Sequence, residues 1–574
     1  MAKAPVYKRL IELFEAEGID SIFGIPDPGF IHMAMEAEER GWNVVSPHHE
    51  QAAGFMADAW SRMTGKPGLC FGTQGPGIAN MAGAMIVAAK ENSPTIFLTG
   101  NRQRIAEQRV KRGRIQYLSQ PQYFEAAMKY VGVIEYPEQT DEIIREAIRQ
   151  ALEGTPGPVY VEIPEHIVTA ELDWPPAAPP EAYRLVRQEA GPSAIAQAVA
   201  LIRDAKQPII LAGQGIFTSR AQAAMAEFAS LMACPVVRTT GTDAYLPGLE
   251  DATFPYGFTQ AGREAVIQSD LCIAIGTEIG EPLHHGVARH WQQNNANRKW
   301  IYVERDPGTI GVNRKIDVPL VGDLRDIVPQ LTEALRESPR SPTAEFERWI
   351  EVHKQEQADL RARAPSGRAK IHTARMVVEA TKNLSNDVVF VRDGGSVSIF
   401  GWTYPQNKPH DMVWNQNLGH LGTGLPYAIG AQIAAGRDRR TLLLTSDSAF
   451  LFHTTELETA ARKKLPLVVV VGVDHQWGLE VGACRNMFGP NARPPEAYWS
   501  QDVRFDKLAE ALGCHGEFVE REEDIAPAIE RAFASGRPGV VHVVIDPEAN
   551  SAIAEIPNFE EFSSWYSDVG MWIY

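Results

Sequence analysis

Two aspartates follow two apolar segments at a spacing that suits a metal site. Asp447 lies in a polar turn after the apolar run 440–444, and Asp474 lies in a second polar turn after the apolar run 467–471. A helical pattern separates them, so the stretch has the order of a parallel βαβ unit. In such a unit both turns lie at the carboxyl edge of the sheet, where ligands bind. Two carboxylates there suit Mg²⁺, which proteins commonly hold with one or two carboxylates plus substrate phosphates.

The same aspartates have an ordinary structural interpretation. Asp447 could cap the helix that follows it, and Asp474 could lie in a plain turn, because aspartate is common in both places. The carboxylates alone leave both interpretations open.

The stretch resembles the signature of thiamine-diphosphate enzymes, which is Gly-Asp-Gly followed in the next turn by Asn-Asn. Here Ser446 and Ser448 stand at the glycines, and Val473 and Asp474 stand at the asparagines. The resemblance implies Mg²⁺ held by Asp447, Asp474 and the backbone carbonyl of Gln476, with the turn binding the cofactor's diphosphate. Asp474 adds a negative charge, which should tighten the ion and weaken the attraction for diphosphate. The two serines lack the freedom of glycine to adopt positive φ, but their hydroxyls could donate to phosphate.

Glu50 lies between a predicted strand, 43–46, and a helical segment rich in small residues, 51–63. A glutamate at a helix N-terminus is commonly stabilised by the macrodipole alone. However, HHEQAAGFMADAWSRMTGKPG and the later GTQGPGIAN resemble the pyrimidine-binding domain of the acetohydroxyacid synthase, benzaldehyde lyase and pyruvate decarboxylase superfamily. The resemblance implies that Glu50 binds the N1′ nitrogen of the aminopyrimidine. A carboxylic acid in a mostly apolar site can share that proton and favour the imino tautomer, which generates the reactive ylid.

The resemblance assigns further residues of the third domain to the cofactor. Gly395 and Ser396 would contact the diphosphate. The carbonyl of Gly419 would accept from the 4′-amino group, and Leu421 would be the apolar wedge beneath the two rings. A leucine in a glycine-rich loop is also commonly part of a core.

Three residues are candidates for handling protons or substrate. Glu480 lies six residues after Asp474, where decarboxylases of the superfamily carry a carboxylate, although a surface helix residue is the alternative. Asp27 lies one position before the family's acid, where this chain has Pro28. Gln116 lies in the region of a substrate-facing glutamine, and Gln120 and Gln122 are equally eligible.

The composition indicates a globular cytoplasmic protein of several domains. The 574 residues exceed a single core, and 44% are hydrophobic and 22% charged. The net charge of −17 argues against nucleic acid or an anionic membrane as a partner. Five cysteines without a CxxC pair indicate reduced thiols. The N-terminus lacks an apolar signal core, and no segment reaches the ~18–20 apolar residues of a membrane helix.

The predicted fold is α/β, with three doubly wound domains of mostly parallel sheets in the thiamine-diphosphate-binding arrangement. Strands alternating with helices favour parallel sheets. The predicted boundaries are a pyrimidine-binding domain at 1–171, a linker at 172–190, a central domain at 191–336, a second linker at 337–370, a diphosphate- and Mg-binding domain at 371–552, and an aromatic tail at 553–574.

The central domain and the tail contain less decisive patterns. Gly213-x-Gly215 fails the dinucleotide pattern, so a structural turn is favoured. The superfamily's central domain binds FAD in some members and ADP in others, and FAD is possible here but unsupported. His284 and His285 could point towards an active site, but surface histidines are the favoured interpretation. The tail has Phe559, Phe562, Trp565, Tyr566, Trp572 and Tyr574. These aromatics predict docking, either as a lid or against a subunit.

The resemblance implies cleavage or formation of a C–C bond next to a carbonyl, with thiamine diphosphate and Mg²⁺. The substrate would be a 2-oxo acid, an aldehyde or a 2-hydroxy ketone. An acetolactate synthase-like or benzaldehyde lyase-like carboligase is one version; a 2-oxo acid decarboxylase or cyclic 1,2-diketone hydrolase, which Glu480 favours, is the other. An inactive structural or regulatory paralogue is a further alternative. Family architecture places Glu50 and Asp447 on different subunits, which implies a homodimer or homotetramer.

Overall fold

The computed structural model describes residues 3–103 and 115–552, together with Ile556 and Ser564. The predicted aromatic tail lies almost entirely outside these residues. The described chain forms two compact units. The first comprises residues up to 186, 415–438 and 452–465, and the second comprises 187–414, 439–451 and the residues from 466 onward.

The first unit contains a six-stranded parallel sheet with the order β3-β2-β4-β5-β7-β6 and a short antiparallel pair, β1-β8. Its strands are β1 (Lys3–Pro5), β2 (Ser21–Gly24), β3 (Asn43–Val45), β4 (Gly68–Gly72), β5 (Thr95–Asn101), β6 (Tyr130–Val133), β7 (Val159–Pro164) and β8 (Glu171–Asp173). Its α-helices are Val6–Ala16, Ile31–Glu39, Glu50–Thr64, Pro76–Asn80, Ala82–Lys90, Gln120–Phe124, Thr140–Leu152, Glu165–Val168, Gly424–Ala435 and Glu456–Arg462.

The second unit contains two six-stranded parallel sheets, ordered β11-β10-β9-β12-β13-β14 and β16-β15-β17-β18-β20-β19. The strands of the first are β9 (Pro208–Ala212), β10 (Val236–Arg238), β11 (Thr253–Pro255), β12 (Leu271–Ile275), β13 (Lys299–Glu304) and β14 (Val318–Val321). Those of the second are β15 (Val389–Arg392), β16 (Asp411–Val413), β17 (Thr441–Ser446), β18 (Leu467–Val473), β19 (His515–Val519) and β20 (Gly539–Val544).

Helices connect these strands, as parallel pairing requires. They are Pro192–Asp204, Gly215–Thr218, Gln222–Met232, Gln260–Gln268, Arg289–Gln292, Leu324–Leu335, Ala344–Arg363, Thr373–Thr381, Gly395–Thr403, Asp447–Phe450, Gly478–Phe488, Phe505–Ala511, Ile525–Ala534 and Pro547–Ser551. β17 and β18 are buried along their whole length and consist largely of leucine and valine. Such continuous apolar runs are typical of parallel strands covered on both faces.

The predicted α/β class is confirmed, because three parallel sheets with connecting helices are present. The stretch GTQGPGIAN leads into two helices, Pro76–Asn80 and Ala82–Lys90. The segment 337–370, predicted as the second linker, contains the 20-residue helix Ala344–Arg363, whose Trp349 is buried.

The prediction that His284 lies on the surface is wrong, since its side chain is fully buried. Its Nδ1 lies 3.0 Å from the hydroxyl of Tyr256, which also lies 2.6 Å from Nε2 of His290. Burial lowers the pKa of His284 to about 3, so the ring stays neutral in this aromatic core. No local pattern indicates this cluster, because its members come from three separate segments of the chain.

No described helix is long and apolar enough to span a membrane.

The helices Glu50–Thr64 and Gly424–Ala435 of the first unit pack at very short range. A Cβ atom on Gly430 would lie 2.2 Å from the backbone oxygen of Met56. Tyr427 donates from its hydroxyl to Asp58 at 2.5 Å, and Arg62 donates to the same carboxylate at 2.8 Å. The absence of a side chain at 430 therefore allows this polar network to close.

We expect Gly430→Ala to destabilise the protein by about 1–3 kcal/mol, because the added methyl must displace backbone atoms of the facing helix. Gly100→Ala in the same unit is the matched control, since a Cβ there meets only a Phe30 ring atom at 3.9 Å. Urea unfolding of both variants measures the difference. Equal stabilities would contradict the close packing.

Candidate functional site

The carboxyl ends of β17 and β18 bring Asp447 and Asp474 together. These strands are parallel neighbours, and Ser446 pairs with Gly472 in their register. Asp447 directly follows the first strand and Asp474 directly follows the second. Both residues are buried: Asp447 is fully buried, and Asp474 is 6% exposed. The predicted βαβ geometry is thus present at this edge of the sheet.

Backbone amides orient Asp447. Its Oδ1 accepts from the amide of Ser448 and its Oδ2 accepts from the amide of His475, both at 2.9 Å. His475 has a φ of 57°, an uncommon conformation for a residue other than glycine. This conformation at the end of β18 turns its N–H back towards β17, and such strain is concentrated at functional sites.

Two amide side chains orient Asp474. Its Oδ2 accepts from Asn550 at 2.7 Å and from Gln476 at 3.1 Å. The other oxygen, Oδ1, is buried and has no hydrogen-bond partner among the described residues. Gly478 makes room for this arrangement, since a Cβ there would lie 2.9 Å from Nδ2 of Asn550.

The two carboxyl groups are strained electrostatically. Burial raises the pKa of Asp447 well above its usual range, and the neighbouring Asp474 raises it further. Burial also raises the pKa of Asp474. Two carboxylates in one dry site cannot both ionise cheaply unless a cation compensates them. Among the described residues no cluster of three or more His, Cys, Asp or Glu side chains suits a metal, so any ion here would rely on backbone or ligand oxygens as well.

The turn before the helix Gly395–Thr403 lies against the same strand end. Gly395 has a φ of 72°, and a Cβ on it would lie 2.9 Å from Oγ of Ser446. The hydroxyls of Ser446 and Ser448 are 2.8 Å apart. Oγ of Ser396 is buried without a partner among the described residues. Ser446 and Ser448, which stand at the glycines of the family's signature, thus place their hydroxyls next to the turn at Gly395.

In the first unit, Glu50 begins the helix Glu50–Thr64 directly after the loop that leaves β3. Its Oε2 accepts from Nδ2 of Asn80 at 2.9 Å. A Cβ on Gly77 would lie 3.3 Å from its Oε1. Glu50 therefore faces the glycine-rich turn, and Asn80 was not among the predicted site residues.

That turn is held by Gln120. Its Oε1 accepts from the amide of Gly75 at 2.8 Å, and its Nε2 donates to Glu162 at 2.9 Å. Gln116 is exposed with a φ of 65°, and its backbone oxygen would lie 2.4 Å from a Cβ on Gly75. Both glutamines thus contact the turn at Gly75: Gln120 through its buried side chain and Gln116 through its backbone. Gln122 is exposed.

The loop 415–423 also belongs to the first unit. Gly419 is exposed with a φ of 65°, and Leu421 is partly buried. His420 between them lies with its Nδ1 2.7 Å from the carbonyl of Leu421 and its Nε2 3.5 Å from Nε2 of Gln51. Gly419 adopts the left-handed conformation, which glycine tolerates and which a sharp turn requires.

Two of the predicted catalytic residues, Asp27 and Glu480, lie outside the contacts described above. Oδ1 of Asp27 accepts from the amides of Gly29 and Phe30 at 3.0 and 3.1 Å, so it forms a turn that leads into the helix Ile31–Glu39. Glu480 lies exposed in the first turn of the helix Gly478–Phe488. The catalytic roles of both remain predictions.

Glu50 belongs to the first unit and Asp447 to the second. Their joint action on one cofactor therefore remains a prediction.

Comparison with known proteins gives three matches in chain order. The N-terminal thiamine pyrophosphate (TPP) binding domain of thiamine pyrophosphate enzymes matches residues 5–125, their central domain matches 195–331, and their C-terminal TPP binding domain matches 393–543.

Relatives match over almost the whole chain. A probable acetolactate synthase large subunit of Methanococcus aeolicus is 27% identical over 96% of this chain and 93% of its own. The acetolactate synthase large subunit IlvG of Mycobacterium tuberculosis is 27% identical over 93% of this chain and 94% of its own. Oxalyl-CoA decarboxylase of Escherichia coli K12 is 25% identical over 95% of this chain and 96% of its own. With all three domain models matched in order on three parallel sheets, the chain belongs to the thiamine pyrophosphate enzymes.

Proposed function

We propose that the protein is a thiamine-diphosphate- and Mg²⁺-dependent lyase or carboligase acting on 2-oxo acids or 2-hydroxy ketones. The buried pair of Asp447 and Asp474 supports this most directly, because Oδ1 of Asp474 is an unpartnered oxygen ligand beside a second carboxylate. Hard oxygen ligands of this kind suit Mg²⁺ together with phosphate oxygens. The similarity to acetolactate synthases favours carboligation, and that to oxalyl-CoA decarboxylase favours decarboxylation.

The residues present fit the expected groups. The unpartnered oxygen of Asp474 and the backbone carbonyl of Gln476 would complete the coordination around Asp447. Ser396 presents an unpartnered buried hydroxyl to the diphosphate, at the start of a helix whose N-terminus favours anions. When bound, thiamine diphosphate supplies a carbon nucleophile and stabilises the electron pair released next to a carbonyl.

Glu50 would hold a proton at the aminopyrimidine ring. Asn80 donates to Oε2, which leaves Oε1, on the side of Gly77, to face the ring nitrogen. One carboxylate oxygen is thereby fixed while the other exchanges the proton. Leu421 and the carbonyl of Gly419 would position the two rings, and Gln116 or Gln120 would face substrate from the Gly75 turn. A subunit pair would be needed if the family arrangement applies, in a homodimer or homotetramer.

A decarboxylase or a cyclic diketone hydrolase is the second candidate, and one observation favours it. Glu480 is exposed in the turn of helix that follows the proposed metal site, where its carboxylate can exchange protons with solvent. A surface residue without a role in the reaction would occupy the same place.

We expect Asp474→Asn to weaken Mg²⁺ binding by roughly tenfold or more, about 1.4 kcal/mol. Asn550 donates to this position, so the new amide would turn its oxygen towards Asn550 and its NH₂ towards the ion. Binding of thiamine diphosphate at saturating Mg²⁺ should tighten, because one negative charge is lost. Isothermal titration calorimetry measures both. Exposed Asp204→Asn is the control, and an unchanged Mg²⁺ affinity in Asp474→Asn would remove this residue from the ligand set.

Glu50→Gln should lower kcat by about 10²–10⁴-fold, the usual contribution of a positioned proton-transfer group. Cofactor affinity should change far less, because the amide keeps the hydrogen bond but cannot exchange the proton. Steady-state kinetics and calorimetry with thiamine diphosphate separate the two effects. Exposed Glu38→Gln should behave as the unmodified protein does; full activity of Glu50→Gln would refute the assignment.

Incubation with pyruvate, benzoylformate, benzoin and cyclohexane-1,2-dione tests the substrate class. Carboligation predicts CO₂ together with a C–C coupled product from pyruvate, and unchanged rates in Glu480→Gln. Aldehyde and CO₂ as the sole products from pyruvate or benzoylformate, with a slower Glu480→Gln, would establish the decarboxylase instead, and ring opening of cyclohexane-1,2-dione to 6-oxohexanoate would establish the hydrolase. Product analysis by mass spectrometry distinguishes them, and no turnover with cofactor bound would contradict both.

A further inference from the structure

A cavity of about 610 Å³ lies within the second unit, away from the paired aspartates. Its walls come from the loop after β10, the helix Ala344–Arg363 and the second half of the helix Gly395–Thr403. The volume is in the range that proteins use for small organic ligands. None of the predicted cofactor or metal ligands lines it.

Two arginines share one carboxylate at this cavity. Nη1 of Arg238 donates to Asp243 at 2.8 Å and to the carbonyl of Thr242 at 3.1 Å. The fully buried Arg392 forms an ion pair with the same Asp243 and donates to the carbonyl of Ser398 at 2.8 Å. Because one negative charge faces two positive ones, the group keeps a net positive charge in a poorly hydrated environment.

Neighbouring groups respond to this positive potential. Burial lowers the pKa of His353 to about 3, and Lys408, Arg238 and Arg361 lower it further. Burial also lowers the pKa of Arg392 to about 10, with Arg238 opposing its charge. Asp251 and Glu250 partly offset the field, since they pair with Lys408 and His410.

Arg238 is the group available to a ligand. It lines the cavity and is only 6% exposed. Nη1 donates to Asp243 and Thr242, whereas Nε is buried and has no hydrogen-bond partner among the described residues. The guanidinium lies 4.8 Å from the ring of Tyr245, which fixes its plane. A planar guanidinium held in this way binds carboxylates well.

Part of the remaining wall is aromatic. Phe258 and Trp402 both line the cavity, with ring centroids 5.6 Å apart, and Tyr404 adds a third ring. Glu356, Asp359 and Arg363 line it from the helix Ala344–Arg363, so this side carries one net negative charge. That charge would repel a second anionic group, so the cavity favours a molecule with one carboxylate and an apolar or aromatic body.

We propose that this cavity is a binding site for an organic monocarboxylate, with the carboxylate on Arg238 and the apolar body against Phe258 and Trp402. The site is independent of the proposed function, because it uses none of the residues placed around the cofactor. Asp243 connects it to Arg392, the residue directly before the turn 393–396.

The probe is 3-phenylpropionate, which lacks the 2-oxo group and so cannot react as a substrate; 3-phenylpropanamide is its neutral counterpart. We expect the acid to raise Tm in a concentration-dependent manner and the amide to leave it unchanged, since ligands that bind only the folded state stabilise it. Calorimetry on the full chain gives the two affinities. Equal responses to acid and amide, or no response to the acid, would overturn the proposal.

The variants test the anchor. Arg238→Met should weaken binding of the acid about tenfold or more, whereas Arg238→Lys, which keeps the charge but loses the planar guanidinium, should retain part of it. Exposed Arg336→Met is the control for a lost surface charge. Unchanged affinity in Arg238→Met would refute the assignment of Arg238.

A measurement on the unmodified protein tests the proposal without these variants. In crystals soaked with 3-(4-iodophenyl)propionate, the anomalous signal of iodine should lie in the cavity next to Trp402. A signal only elsewhere would overturn the proposal. Cofactor binding and turnover are measured separately, so loss of the proposed function would leave these results interpretable.

Discussion

Two neighbouring carboxyl groups buried in one place are the constraint on which the arrangement at this edge of the third sheet depends. Asp447 and Asp474 lie at adjacent strand ends, and each is nearly or wholly removed from water. Burial and mutual repulsion both oppose their ionisation. Backbone amides donate to Asp447, and side-chain amides donate to Oδ2 of Asp474. Oδ1 of Asp474 has no hydrogen-bond partner among the described residues. Such a pair destabilises the fold when both groups are ionised, and this is why we propose that a divalent cation binds there.

Parallel pairing is the constraint that makes this convergence possible. In an antiparallel hairpin, consecutive strand ends lie at opposite edges, whereas parallel strands deliver both turns to one edge. The register of β17 and β18 places Ser446 beside Gly472, so the two aspartates follow at nearly the same level. The turn at Gly395 approaches the same edge because β15 pairs with β17. The fold thus collects three separate segments without any long-range signal in the sequence.

The sequence predicted what depends on local pattern. Apolar runs located β3, β17 and β18, and alternation with helices indicated the α/β class. Position in a turn identified the two aspartates. Contacts between distant segments were not accessible: Asn80 on Glu50 and Asn550 on Asp474 depend on where helices pack, not on any spacing.

The same limit explains the error at His284 and the uncertainty among the glutamines. Burial of a histidine depends on partners such as Tyr256, which precedes it by 28 residues. The three glutamines differ in burial and not in local pattern, and only the fold shows that Gln120 reaches Gly75. Polar residues satisfied by tertiary contacts are the class that a single sequence describes least well.

The replacement of asparagine by Asp474 gains a physical rationale from Asn550. The hydroxyl of Thr373 donates to Oδ1 of Asn550 at 3.2 Å, so the amide of Asn550 is oriented with its NH₂ towards position 474. That donor requires an oxygen opposite it. An asparagine would meet the requirement with its only oxygen and turn its own NH₂ towards the ion, whereas a carboxylate offers a second oxygen. Asp474 and Asn550 are therefore matched, and the departure from the family's signature is compatible with an intact metal site.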